Sequence, residues 1–151
     1  MKWGAILFCS FIITACSGRH AAFDISFGGV MTFAVTGSSF GMLSSARGVF
    51  KVDGPEDRFS IYFQDEYGQP LGKVIVEKNS ITEKELSVDG YSEIFRYWRH
   101  LFSDNRKRAD IEYSDYVTVS GKELPGRIMI SRKKTVIDIR IVYGIQGAGK
   151  D

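Results

Sequence analysis

The chain has 151 residues, 20 Lys and Arg against 18 Asp and Glu, a formal net charge of +2 and 44% hydrophobic residues. A balance so close to neutral offers no field for nucleic acid, and the length suits one domain built around one core. Three prolines and no low-complexity tract argue against a long disordered linker.

Met1 and Lys2 precede a run from Trp3 to Ala15 that only Ser10 and Thr14 interrupt. One charge, a short apolar core and small residues before a break form an export signal. The run is too short for a membrane span, which needs about 20 apolar residues. Its end, Ile13-Thr14-Ala15-Cys16, resembles the lipobox of bacterial lipoproteins. That resemblance implies lipidation and cleavage at Cys16, so that residues 1–15 are a signal and 16–28 a lipidated tether. Cys9 then leaves with the signal, and no thiol or disulfide remains. Two or more acyl chains hold a protein firmly to a membrane. Ser17 stands where inner-membrane retention usually requires Asp, so the expected location is the outer membrane, anchored by lipid and facing the periplasm.

From residue 29 to 145 period-two alternation dominates, the mark of half-buried strands. Phe33 and Val35 come first, then Phe59, Ile61 and Phe63, then Val74 and Val76. Val117 and Val119, Ile128 and Ile130, and finally Ile137, Ile139 and Ile141 follow. "TGSS", "DGPED", "EYGQP", "EKNS", "SGKELPG" and "SRKK" separate the runs as turns, and such short connections favour an antiparallel meander. In "YSEIFRYWRHLF", Ile94, Tyr97, Trp98, Leu101 and Phe102 fall at helical spacing, with Ser92 or Asp89 as cap. The expected fold is therefore α+β and mostly β: a curved antiparallel sheet forming an incomplete barrel, with one covering helix and a flexible tail over 146–151. The dry face of such a sheet must be covered. Either it curls on itself or an apolar groove remains.

No catalytic constellation, metal site or cofactor motif emerges. His20 lies in the tether and His100 on a basic helix face; CxxC, HExxH, P-loop and GxSxG patterns are absent from the sequence. Asp110, Glu112 and Asp115 read as solvent-facing strand positions, and Asp65 and Glu66 lack the apolar surroundings that drive paired carboxyl pKa values apart. The chain is not expected to be an enzyme.

"ARGVFKVDGPEDRFSIYFQDEYGQPLGKVIVEKNSI" and "IEYSDYVTVSGKELPGRIMISRKKTVIDIRI" resemble the outer-membrane lipoprotein receptor LolB, and Trp98 after Phe95 is similar to the tryptophan of that family's lid helix. The resemblance implies an apolar cavity for acyl chains of lipoproteins or phospholipids, and a periplasmic carrier protein as donor. Phe33, Val35, Phe59, Ile61, Phe63, Val74, Val76, Trp98, Ile128, Ile130, Ile137 and Ile139 are the candidates to line it. It also implies an exposed leucine on a membrane or cargo loop, here Leu71 between Pro70 and Gly72. A leucine that simply starts the next strand is the alternative. Two departures stand out: almost nothing separates the lipobox from the first strand, and the middle offers one lid helix. The rival is an interaction module with the same scaffold, a side-chain-filled interior and an accessory role in an envelope complex.

Overall fold

A computed structural model describes residues 23–37, 43–87, 90–102 and 110–144. Cys16, the rest of residues 1–22, the cap candidate Asp89 and the tail 146–151 lie outside the described residues.

Alternating residues form the strands expected of them, and all of these but Val117–Val119 join one antiparallel sheet. In chain order the elements are β1 (Ser26–Gly37), β2 (Ser45–Asp53), β3 (Arg58–Gln64), β4 (Pro70–Glu77) and β5 (Ser80–Leu86). The helical segment follows as α1 (Tyr91–Ile94), a 3₁₀ turn (Phe95–Tyr97) and α2 (Trp98–Phe102). Then come β6 (Ile111–Ser114), β7 (Val117–Val119), β8 (Lys122–Leu124), β9 (Arg127–Arg132) and β10 (Thr135–Tyr143). Eight strands pair in the order β5-β4-β3-β2-β1-β10-β9-β6, while β7 and β8 form a separate hairpin. The first and last strands thus meet in the middle, and among the described residues β5 and β6 remain as two unjoined edges. The barrel is incomplete, as the alternation implied.

One residue in two points to the concave side, and there the cross-strand rows are almost wholly apolar. Ile128, Ile139, Phe33 and Ala46 make one row. Phe27, Val52, Phe59 and Val76 make another. Between them lies Gly48, where a Cβ would come 2.3 Å from the Ile61 side chain. The missing side chain there is what lets a large aliphatic residue and the Phe33 ring share the space.

Three expectations shift. The strand begins at Ser26 rather than 29, and Phe23 and Phe27, assigned to the tether, are buried. Their rings meet edge-on at 5.3 Å, so aromatic burial draws this segment into the core. The turn "SGKELPG" contains β8, because Leu124 is buried and pulls the segment inward. Gly90, with no side-chain hydrogen bond, occupies the helix N-cap, and Ser92 sits buried inside the first turn.

Candidate functional site

The helical segment lies across the concave face. Its buried stripe is Tyr91, Phe95, Trp98, Leu101 and Phe102, so the expected stripe is rotated. Tyr97 is 49% exposed and Ile94 half-buried. Positions 91, 95, 98 and 102 step by four, three and four, the spacing of a single helix face. That step was present in the sequence, masked by the equally apolar Ile94 and Tyr97.

These helix rings fill the centre of the sheet. Phe59 stacks within 18° of parallel on Phe95 at 5.0 Å and on Trp98 at 5.9 Å. Phe50 stacks on Phe102 at 5.6 Å. Phe33 and Phe63 close on Tyr91 at 5.4 and 5.5 Å. The Tyr91 hydroxyl donates to the Leu43 carbonyl at 2.7 Å, and burial pushes its pKa up to about 12. All the cavity-lining candidates are buried on this face, but Phe33, Phe59, Phe63 and Trp98 spend their surface on other rings. The Trp98 indole N–H is buried and has no hydrogen-bond partner among the described residues, an uncommon condition for such a donor.

A charged contact also ties the segment down. The Arg99 Nε donates to Asp57 Oδ1 at 3.0 Å, and its second guanidinium nitrogen meets the other carboxylate oxygen. Asp57, nearly buried, occupies the β2–β3 turn at φ 57°. Its backbone N–H donates to Gly54 and its carbonyl accepts from Lys78, each at 3.1 Å. Arg99 also lies 5.6 Å from the centre of the Trp98 ring, and desolvation lowers its pKa from the ordinary value. At the other side of the segment Tyr113 donates its hydroxyl to the His100 carbonyl.

Beyond the rings the packing opens. A groove of about 220 Å³ runs between the helical segment and the inward row Ile137, Ile130 and Ile111 of β10, β9 and β6. Ile94 and Leu101 wall its helix side, and Glu93, His100 and Arg132 line it with polar groups. Among the candidates of the sequence, Ile130 and Ile137 line this groove.

The membrane-loop candidate lies elsewhere. Phe63 pairs with Gly72 and Gln64 with Pro70, so Leu71 is the extra residue of a bulge inside β4. Leu71 is half-buried and packed against the core, and its carbonyl accepts from both the N–H and hydroxyl of Ser87 at 3.1 Å. Gly72 follows at φ 131°, where a Cβ would meet the Glu85 carbonyl at 1.6 Å. A fully outward leucine is thus replaced by one that starts a strand at the sheet margin. The bulge also stands at the end of β3 opposite Arg58, and Arg58 adjoins Asp53 and Ser26 where the chain enters β1.

A scan of protein-family models found no match to the chain, and a search of curated proteins found none either.

Proposed function

We propose that the chain is a LolB-like, lipid-anchored protein of the outer membrane, facing the periplasm and acting without covalent catalysis. Its domain takes an acyl chain of a lipoprotein or phospholipid, handed over by a periplasmic carrier, and passes it toward the membrane. The observation that carries this reading is the apolar groove between the helical segment and β6, β9 and β10. It is concave, aliphatic and edged by a few polar groups, the composition of a ligand site. It is small, and the segment above it is short and broken by a 3₁₀ turn, so a full chain is accommodated by lifting that segment from the sheet. Lifting exposes the aromatic rings and frees the Trp98 N–H.

A specific observation favours the second reading. The ring stack fills the centre, as an accessory interaction module with a solid interior requires. An environment-sensitive fatty-acid probe separates the two. Acyl handling expects saturable binding that phospholipid competes away, and Ile94→Trp, which places an indole in the groove, should abolish it while the fold persists. Absence of probe binding at every lipid concentration puts the interaction module ahead.

A further inference from the structure

The outer face of the sheet carries an apolar row of its own. Val142 pairs with Val30, Val30 with Val49, and Val49 with Tyr62, across the adjacent strands β10, β1, β2 and β3. Val142, Val49 and Tyr62 are 71%, 48% and 55% exposed. Beyond Val142 a groove of about 540 Å³ carries the surface on to Val117 and Val119 of the β7–β8 hairpin. Contiguous exposed apolar surface of this kind marks a contact site.

The rows on either side say what it contacts. One is Arg140, Thr32, Arg47 and Gln64; the other is Gly28, Lys51 and Ser60. Neither contains a carboxylate across β10, β1, β2 and β3; Lys73 stands beside Tyr62 on β4, and the carboxylates Glu85 and Glu83 come only on the edge strand β5. Arg140 and Lys51 reach Asp138 and Asp53 only at 3.9 Å and keep side chains 71% and 62% exposed. Lys73 is bound to Glu83 at 2.7 Å. Apolar and tyrosine side chains between cations match the headgroup layer of an anionic membrane. Two copies meeting through this face would oppose cation to cation, which disfavours a dimer.

We propose that this outer face docks on an anionic phospholipid bilayer. Tyr62, Val49, Val30 and Val142 enter the headgroup layer, and Arg47, Lys51 and Arg140 meet lipid phosphates. The inference rests on the membrane-anchored part of the proposed function. Ser26 follows Cys16 by ten positions, which reach about 35 Å at most, and Val30 is four residues further along β1. With this face down, the helical segment and its groove look away from the membrane, toward an incoming carrier.

The test uses the full lipidated chain in vesicles of phosphatidylethanolamine and phosphatidylglycerol, in a Cys9→Ser background. Intact mass first establishes the acyl groups on Cys16. A fluorophore is then placed at Val49→Cys or, on the helical side, at Tyr97→Cys. The expected result is quenching of the position-49 label by lipid-borne nitroxide and its shielding from aqueous iodide, with the reverse at position 97. Arg47→Glu with Lys51→Glu should cut the docked-to-free ratio more than tenfold, because each cation near an anionic surface contributes about fivefold. Equal iodide access at 49 and 97 overturns the proposal. So does shielding at 49 that persists in detergent without phospholipid, which would mean a protein contact. Missing acyl mass refutes the anchor alone. The Val49→Cys label on a chain carrying Cys16→Ser then decides the face: lipid quenching upholds it, and none overturns it.

Discussion

The centre of the concave face and its β6–β9–β10 margin are built by the same rule, yet one is solid and the other is grooved. In the centre, aromatic residues of β2 and β3 face aromatic residues of the helical segment. Phe59 stacks on both Phe95 and Trp98. At the margin, Ile111, Ile130 and Ile137 face Ile94 and Leu101, and a groove of about 220 Å³ remains. Flat rings can stack without gaps, whereas short branched chains on a receding sheet edge do not reach across. The difference teaches where the domain holds itself together and where it has room for something else.

The largest expected effect breaks the solid region. Trp98→Ala removes a fully buried ring and leaves a cavity beside Phe59 and Phe23. Aromatic-to-alanine changes in cores cost about 3–5 kcal/mol, and urea denaturation should show that loss in the midpoint. A loss below about 1 kcal/mol would mean the rings are not packed as a unit, and the division between centre and margin would disappear.

A smaller effect concerns the clasp that holds the segment over both regions. Arg99→Met keeps the apolar stem on Trp98 but leaves the Asp57 carboxylate without its cation. Hydrogen bonds to charged groups contribute about 1.5–3 kcal/mol each, and Arg99 retains some exposure, so a loss of about 2 kcal/mol is expected. The same variant should bind the fatty-acid probe more tightly, because a loosened segment lifts more readily. Weaker probe binding with the same stability loss would show that the closed position, not the lifted one, makes the site.

Much of this was legible beforehand. The dry face and the cavity-lining candidates on its strands follow from period-two alternation, since a strand has only two faces. The strand order does not, because a simple meander would not pair β1 with β10 or β6 with β9. What alternation does not carry is the third dimension. Whether Phe33, Phe59 and Phe63 line a space or fill it depends on what stands opposite them, and that is decided by Tyr91, Phe95 and Phe102. The Arg99–Asp57 clasp joins residues 42 apart in sequence, with no periodic signal linking them. The outer valine row was equally hidden, because it exists only once the registers of four strands are known.

The smallest effect extends the comparison to a third place, the margin where β4 begins. Leu71 is half-buried at a bulge whose backbone is already fixed by Ser87 and by the conformation of Gly72. The side chain therefore adds packing without setting the path of the chain. A fully buried leucine cut to alanine costs about 2–5 kcal/mol, and a surface change stays within about 0.5 kcal/mol. Leu71→Ala should fall between, at about 1–2 kcal/mol, with an unchanged denaturant slope because the surface exposed on unfolding is the same. A loss within about 0.5 kcal/mol would mean that the side chain swings free in solution and is available to membrane or cargo, as the resemblance to LolB implies. A loss above about 3 kcal/mol would place Leu71 with the solid centre. Any membrane contact would then have to come from another surface, and the outer valine row is the one built for it.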